Sequence, residues 1–250
     1  MANIIDYLDW RGDLTLEDSP FNEVDNLLLA ELSFLDLEGI VPDVGQGKSV
    51  ALREAVAAYF QRNEGQSLSM GVLVPDQIPE MAEKMALSQR FSAMRLDGYR
   101  ACLDTQQEIQ FAALTVDLGN GCLYLSFRGT DDTIVGWKED FNMAFLPIVP
   151  SQRLAVDYIR DVAARYPGRK LYIGGHSKGG NLTVYGSVFC GARIQRRILA
   201  VYNNDGPGFK ESLVGLPEYQ AIRDRIISIV PQSSIVGMLL EHDDNYTVVK

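Results

Sequence analysis

One short segment of the chain, residues 175–179, combines residue types that could perform covalent chemistry. Its sequence is Gly-His-Ser-Lys-Gly, with Ser177 at the centre, and it lies between a predicted strand at 171–174 and a predicted helix at 178–190. A tight strand-turn-helix connection raises a serine hydroxyl above the sheet, and the first N–H groups of the helix point at it. The pattern therefore predicts a nucleophile elbow for acyl transfer. The alternative is an ordinary glycine-rich turn with a helix-capping serine.

A serine nucleophile needs a base, and histidine is the side chain whose pKa suits this role near neutral pH. The chain contains two histidines, His176 and His242. The His176 side chain is expected to point away from the neighbouring serine hydroxyl, so His242 is the predicted base. A surface histidine in an acidic loop is the alternative interpretation of His242.

Two aspartates, Asp205 and Asp224, lie between Ser177 and His242. Asp205 follows a predicted strand at 197–202, which places it at the carboxyl edge of the sheet, where ligands of open α/β sheets bind. Asp224 precedes its strand and lies on the opposite edge. Asp205 is therefore the predicted acid of a Ser-His-Asp triad, although its Asn-Asn-Asp-Gly-Pro-Gly surroundings also fit a simple turn.

A second strand end offers a donor for the oxyanion that such a serine would generate. The predicted strand at 122–127 is followed by Arg-Gly-Thr-Asp, in which Gly129 permits close approach of the backbone. The N–H groups of Thr130 and Lys178 are the predicted oxyanion hole.

Two charged side chains near these turns need partners. The Lys178 side chain opposes the helix dipole, so it is either solvated or paired with an acidic group. Residues 137–140, Trp-Lys-Glu-Asp140, are expected to supply an acidic partner to Arg128 and to brace the loop that contains Thr130.

The surrounding elements divide the chain into a helical front, residues 1–105, and an alternating back, residues 106–250. In the front, apolar residues recur at helical spacing in three segments, 26–35, 49–60 and 76–103. The back opens with two β-rich runs joined by Asn120-Gly121, which predicts an antiparallel hairpin. Helices and strands then alternate, which predicts an α/β fold with a mostly parallel sheet, crossover helices and an N-terminal helical portion. We expect a single domain over residues 1–250.

Composition narrows the class of protein. The chain has 33 acidic and 23 basic residues, a net charge of −10, so nucleic acid is not expected as the main partner. No apolar run approaches the ~18 residues of a membrane span, and the N-terminus lacks the basic residues of a signal peptide, so we expect a cytoplasmic protein. The three cysteines form no CxxC pair, which argues against a disulfide framework or a zinc site. We expect no metal and no cofactor.

The combination of Phe127-Arg-Gly-Thr130, Trp137, Asp140 and the glycine-rich serine segment resembles the class 3 (fungal-type) lipases of the α/β-hydrolase superfamily. The whole chain is more similar still to an uncharacterised bacterial family of α/β-hydrolase-like proteins related to them. This resemblance implies an α/β-hydrolase-like fold and a serine esterase or lipase mechanism. It also implies that Ser177 is the nucleophile and Thr130 an oxyanion residue.

The chain departs from the class 3 pattern at two places. Those lipases carry the acid in an Asp-apolar-Val-Pro sequence on the strand that corresponds to 226–230, where this chain has Ser228-Ile-Val-Pro. The acid is therefore expected to be Asp205 or to be absent. The chain ends on Tyr-Thr-Val-Val-Lys, which resembles an uncapped strand, so relatives are expected to continue, with a further histidine in that segment.

The sequence thus favours a cofactor-free serine hydrolase acting on a small-molecule ester or a lipid. Ser177 would attack, His242 would act as base and then as acid, and Asp205 would orient the histidine. Thr130 and Lys178 would supply backbone N–H groups. The alternative is a hydrolase-fold binding protein that lacks a competent triad, because a fold does not determine its function.

Overall fold

The computed structural model describes residues 3–68, 75–131, 133–234 and 246–249. The helices are α1 (Ile4–Arg11), α2 (Glu23–Leu32), α3 (Leu52–Arg62), α4 (Ile78–Leu87), α5 (Ile134–Phe145), α6 (Pro150–Arg165), α7 (Lys178–Phe189), α8 (Ala192–Gln195), α9 (Glu211–Val214) and α10 (Pro217–Gln220). The strands are β1 (Val50–Ala51), β2 (Arg95–Asp104), β3 (Ile109–Asp117), β4 (Cys122–Phe127), β5 (Lys170–His176), β6 (Ile198–Asn204), β7 (Ile226–Pro231) and β8 (Tyr246–Val249).

These strands form one sheet in which the spatial order equals the chain order. β1 to β4 pair antiparallel, including the predicted hairpin at Asn120-Gly121, and β4 to β8 pair parallel. The predicted fold class, a mostly parallel sheet with crossover helices, is confirmed. Because parallel strands end at the same edge, the residues that follow β4, β5 and β6 lie close together. Those residues are Arg128, Ser177 and Asp205.

Helices cover both faces of the sheet. On one face α1 to α4 bury a core that includes Leu28 and Tyr124, and on the other α6 and α7 pack on Leu125 and Ile173. Successive side chains of a strand point to opposite faces, so β4 contributes alternate residues to the two cores. Within the described ranges, no helix is long and apolar enough to cross a membrane.

The predicted helix at 76–103 is wrong in its second half. α4 ends at Leu87, where Ser88 turns into extended backbone, and β2 begins at Arg95. β2 pairs with β1 on one side and along most of its length with β3 on the other. Strand pairing with two neighbours outweighs a weak local helical pattern, because strand preference depends on the packing around it.

The sequence also predicts a helix over 211–224 that is interrupted near Pro217, and a helix that Ser151 caps. The first segment forms α9, α10 and a short 3-10 turn, and α10 begins at Pro217 because proline cannot continue the preceding helix. The second prediction is wrong, since α6 begins at Pro150 and Ser151 does not cap it. The Ser151 hydroxyl instead donates a 3.2 Å hydrogen bond to the carbonyl oxygen of Gln110 on β3.

A buried ion pair joins α2 to the residue Arg90, which follows α4, and Arg90 also bonds to the segment between α1 and α2. The side chains of Asp25 on α2 and of Arg90, which follows α4, are fully buried. The Arg90 guanidinium donates to both carboxylate oxygens of Asp25. It also donates to the carbonyl oxygens of Leu14, Thr15, Ser19 and Pro20. A buried charge is tolerated when it is paired and hydrogen-bonded in this way, so the pair holds α2 in place.

Replacing Asp25 by alanine should lower the free energy of unfolding by about 3–5 kcal/mol, because the Arg90 charge stays buried without its partner. Asp9→Ala is the matched control, since its 2.7 Å pair with Lys84 is partly solvent-exposed and such pairs contribute about 0–1 kcal/mol. Denaturant unfolding followed by circular dichroism measures both variants. Equal losses in the two would contradict the role assigned to Asp25.

Candidate active site

Ser177 lies in a tight turn between β5 and α7. Its backbone angles are φ 54° and ψ −127°, and its side chain makes no capping hydrogen bond to the helix that follows. A non-glycine residue in such a region stores about 1–3 kcal/mol of strain, which persists only where the surroundings enforce it. The hydroxyl is therefore held at the edge of the sheet without serving as a helix cap.

Close backbone contacts enforce this turn, which we call the Ser177 turn (residues 175–179). A Cβ atom on Gly175 would lie 2.5 Å from the carbonyl carbon of Gly179 and 2.6 Å from the carbonyl oxygen of Phe127. A Cβ on Gly179 would overlap that same Phe127 oxygen. The Ser177 N–H donates a 2.9 Å hydrogen bond to the Asn204 carbonyl at the end of β6. Only glycine fits at 175 and 179, as the sequence pattern predicts.

The loop after β4, residues 128–131, is packed against this turn. A Cβ on Gly129 would lie 2.6 Å from the His176 carbonyl oxygen and 3.3 Å from the Ser177 Cβ. Thr130 is buried, and its hydroxyl donates a hydrogen bond to the Asp140 carboxylate of α5. The structure thus brings Thr130, Ser177 and Lys178 to the same edge of the sheet.

The predicted pairing of Arg128 with an acid of residues 137–140 is wrong. Asp140 bonds to Thr130, and the Arg128 guanidinium lies 3.6 Å from the carboxylate of Asp131 instead. Burial raises the pKa of the Asp140 carboxyl, and the nearby Lys178 ammonium opposes that shift. Asp140 stabilises the 128–131 loop by accepting a hydrogen bond from the Thr130 hydroxyl. Neither the charges nor the spacing of residues in the sequence indicates this bond.

The Lys178 side chain has an acidic partner, which resolves the alternatives left open by the sequence. It is 1% exposed, and its ammonium lies 3.0 Å from the carboxylate of Glu139 on α5. It also donates to the backbone oxygen of Gln110, at 2.6 Å, and to the side-chain oxygen of the same residue. These acceptors use its three N–H groups, so the buried charge is fully bonded.

Glu139 extends this contact into a cluster that joins four elements. Its carboxylate accepts the N–H of Gln110 on β3 and the N–H of Ser151 on α6, each at 3.0 Å. The side-chain amide of Gln110 in turn donates to the Gly129 carbonyl at 3.3 Å. The cluster of Lys178, Glu139, Gln110 and Ser151 therefore ties the 128–131 loop to the Ser177 turn. The position of Lys178 in the first helical turn is compatible with a solvated or an acid-paired side chain, and nothing in the sequence identifies Glu139 as the partner.

Asp205 directly follows β6, as predicted. In the register of the parallel strands His176 is paired with Asn204, so Ser177 and Asp205 occupy the next positions on neighbouring strands. Asp205 also has a positive φ, 55°, and its carboxylate accepts a hydrogen bond from the Ser234 hydroxyl. Asp224 lies in the 3-10 turn before β7. His242 lies outside the described residues.

The His176 side chain lies on the face of the sheet that α2 covers. Its Nδ1 atom is 3.2 Å from a carboxylate oxygen of Glu31, a buried residue of α2. Burial raises the pKa of the Glu31 carboxyl, and the His176 charge opposes this. Sequence reasoning missed Glu31, for which the available signal was a carboxylate within the otherwise apolar run 27–32 of α2. No group of three potential metal ligands occurs in the part of the chain that the structure describes.

α5 presents its two acidic side chains inward and three aromatic rings outward. Glu139 and Asp140 face the interior, whereas Trp137, Phe141 and Phe145 are 55%, 68% and 64% exposed. Water-exposed helices normally show the reverse arrangement. The contacts of Glu139 and Asp140 with Lys178 and Thr130 account for the inward face, and they leave an apolar surface on the outer side of α5.

Glu139→Gln should lower the free energy of unfolding by about 3–5 kcal/mol, because it leaves the Lys178 ammonium buried without a counter-charge. Lys178→Met should also be destabilising, because it leaves the Glu139 carboxylate buried without a counter-charge. The loss of unfolding free energy in the double variant should be smaller than the sum of the losses in the two single variants. Lys138→Met is the control, since Lys138 is a neighbouring lysine with a 57% exposed side chain. Strictly additive losses in denaturant unfolding would show that the pair is not coupled.

Comparison with solved structures finds lipases at low sequence identity. Rhizomucor miehei lipase in its propeptide complex is 17% identical over 58% of this chain and 51% of that chain, with a TM-score of 0.44. MDLA of Penicillium cyclopium is 14% identical over 90% and 77%, with a TM-score of 0.48. Lipase II of Rhizopus niveus is 13% identical over 76% and 77%, with a TM-score of 0.44. These identities describe a likeness of fold alone, and the chain spans about half the length of the Rhizomucor protein.

Comparison with sequences gives a narrower result. No curated protein matches the chain. A sequence model of the Mbeg1-like family matches residues 85–250, which include every strand from β2 to β8, the Ser177 turn and Asp205. The match covers well over half of the chain, and the protein therefore belongs to the Mbeg1-like family.

Proposed function

We propose that the protein is a serine hydrolase that cleaves carboxylic esters, with Ser177 as the nucleophile of a nucleophile elbow. The observation that carries this proposal is the strained backbone of Ser177, at φ 54°, between β5 and α7. The hydroxyl does not cap the helix, and the 128–131 loop packs against the Ser177 Cβ. A serine with this backbone at a strand-turn-helix junction is the arrangement that acyl transfer in α/β-hydrolases requires.

In the proposed reaction the Ser177 oxygen bonds to the ester carbonyl carbon while His242 takes the serine proton. The backbone N–H groups of Thr130 and Lys178 stabilise the oxyanion, since the first N–H groups of a helix have no partner within the helix. The bond to the alcohol then breaks, and His242 returns the proton to the departing alkoxide. Water attacks the acyl-enzyme in the same way and releases the acid. Asp205 holds the histidine in the required tautomer.

The apolar face of α5 supports an ester with an apolar acyl chain as substrate. Exposed apolar patches of this kind mark sites of contact with apolar molecules. A cavity of about 100 Å³ also lies beside the end of α5, with Met143, Leu146, Phe209 and Leu213 among its lining residues. Asn181, which lines the same cavity, is one helical turn after Ser177 on α7. Small-molecule or lipid esters with an aliphatic acyl group fit these surfaces.

A catalytically silent binding protein is the second candidate. It is favoured by Ser228 of β7, which stands where class 3 lipases carry the acid of the triad. Our proposal requires Asp205 on the neighbouring strand β6 to take that role. The two candidates differ in whether Ser177 is chemically activated.

A fluorophosphonate probe should label the protein at Ser177, because a base and an oxyanion hole activate this serine over others. Ser177→Ala should abolish labelling and lower the hydrolysis of p-nitrophenyl esters by at least about 10⁴-fold. Ser187→Ala is the matched control, since Ser187 is a buried serine on the same helix, and it should label like the wild type. Peptide mass spectrometry identifies the labelled residue. A wild-type protein that neither labels nor hydrolyses any ester would favour the binding protein.

Asp205→Asn should keep the fold, because asparagine also tolerates a positive φ. It should lower kcat by about 10⁴-fold, because the amide neither favours the right tautomer of His242 nor stabilises its charged form. Asp224→Asn, at the other edge of the sheet, should leave kcat unchanged. Full activity of Asp205→Asn, in a preparation where Ser177→Ala is inactive, would move the role of the acid to another residue.

A further inference from the structure

Helix α2 lies against the strands that end at the Ser177 turn, although it precedes the region matched by the family model. The Ser126 hydroxyl of β4 donates a 2.9 Å hydrogen bond to the Leu29 carbonyl of α2. Phe34, which follows α2, would contact a Cβ on Gly129 at 3.0 Å. The N-terminal helices therefore reach both the strand ends and the 128–131 loop.

A relay of buried amides connects α2 with both sides of the Ser177 turn. The Asn26 side chain of α2 donates a 2.9 Å hydrogen bond to the Asn204 side chain and accepts one of 2.8 Å from the Tyr124 hydroxyl. The Asn204 amide donates to the Gly175 carbonyl at 3.1 Å. Its backbone oxygen accepts the Ser177 N–H. Asn204 thus holds the residues on either side of His176, and Asn26 holds Asn204.

Glu31 lies in the last turn of helix α2 and contacts His176, the residue between Gly175 and Ser177. One carboxylate oxygen lies 3.2 Å from the His176 Nδ1 atom, which is within ion-pair distance. Neither this Nδ1 atom nor the other carboxylate oxygen has a hydrogen-bond partner among the described residues, so the contact is electrostatic. The titratable groups that face this carboxyl are His176 of β5 and, on the neighbouring strand, Tyr124 of β4. A buried carboxyl with so few donors is costly to the fold, so its place beside the turn calls for another explanation.

We propose that Glu31 is a positioning residue for Ser177, acting through the side chain of His176. Through the electrostatic contact with the His176 imidazole, Glu31 restricts the peptide that joins residues 176 and 177, and this peptide sets the direction of the Ser177 hydroxyl. The His176 carbonyl oxygen is also the atom nearest to a Cβ built on Gly129, at 2.6 Å, so the same peptide limits how closely the 128–131 loop packs on Ser177. The N-terminal helices are then a part of the active site and not a separate appendage. This inference rests on the proposed function for its kinetic consequences.

A positioning role and a merely structural role predict opposite effects on stability. Burial raises the pKa of Glu31 in the folded protein above its ordinary value, so its contribution to stability is greatest below that ordinary value. The contribution is lost as the pH rises through the raised pKa. At neutral pH, Glu31→Gln should therefore be at least as stable as the wild type. A residue that only supported the fold would lower stability when replaced.

The test measures kcat, KM, the rate of fluorophosphonate labelling and stability in Glu31→Gln. We expect kcat and the labelling rate to fall about 10- to 100-fold, the effect of a small misplacement of a reacting group. KM and the unfolding midpoint at pH 7 should be maintained. Glu23→Gln is the matched control, an exposed glutamate on the same helix, and it should behave like the wild type. Wild-type kcat and labelling in Glu31→Gln would overturn the proposal, as would a loss of activity that only follows a loss of stability.

An NMR experiment tests the contact between Glu31 and His176 independently of the proposed esterase activity. The chain has two histidines, so the His176 ring resonances can be assigned in an NMR spectrum by comparison with a His242→Ala variant. They should shift in Glu31→Gln and stay in place in Glu23→Gln. If the wild type has no esterase activity and no labelling but the shift is present, the proposed function fails and the contact stands. If the His176 resonances do not respond to Glu31→Gln, the positioning role fails whatever the activity.

Discussion

The arrangement of the candidate site depends on a lysine that is buried beside the serine. Lys178 cannot lose contact with Glu139 without leaving a charge in the interior, a change that costs about 3–5 kcal/mol in buried pairs. Its partners lie on β3 and α5, and Glu139 also bonds to the start of α6. One ion pair therefore fixes the relative positions of the Ser177 turn, the helix that follows the 128–131 loop and the strand beneath them.

This pair also explains the orientation of α5. Because Glu139 must meet Lys178 and the adjacent Asp140 must meet Thr130, the polar side of the helix faces the protein. The aromatic residues of the helix are then turned to the surface. The apolar outer surface of α5 is thus a consequence of the ion pair and the hydrogen bond on its inner side. The same arrangement concentrates incompletely bonded groups at the site. Among the described residues, four of the five buried side-chain atoms without hydrogen-bond partners belong to Glu31, Arg128, Asp140 and His176.

The parts of the site that could be predicted from sequence are those set by local rules. The backbone of the Ser177 turn is specified by its sequence, in which a strand leads to a serine between two glycines and a helix follows. Only glycine fits at positions 175 and 179, because both residues lie against the carbonyl oxygen of Phe127. The edge on which Asp205 lies follows from its place after a parallel strand. The second half of the segment 76–103 could not be read correctly, since pairing with β1 and β3 decided its structure.

The supporting contacts could not be predicted, because they join residues far apart in the chain. Lys178 meets a carboxylate 39 residues earlier, and His176 meets one on the second helix. Neither partner is marked by spacing or composition. The acidic partner of Arg128 was predicted wrongly for a related reason. Glu139 and Asp140 bond to Lys178 and Thr130, and Arg128 lies near Asp131. His242 stays a prediction.

The most direct test of the account is a crystal structure of the protein after reaction with a phosphonate ester, which leaves a tetrahedral adduct on an activated serine. The account predicts an adduct on Ser177 whose oxygen lies about 2.7–3.1 Å from the backbone nitrogens of both Thr130 and Lys178. An adduct on another serine, or a Ser177 adduct whose oxygen contacts neither nitrogen, would contradict it.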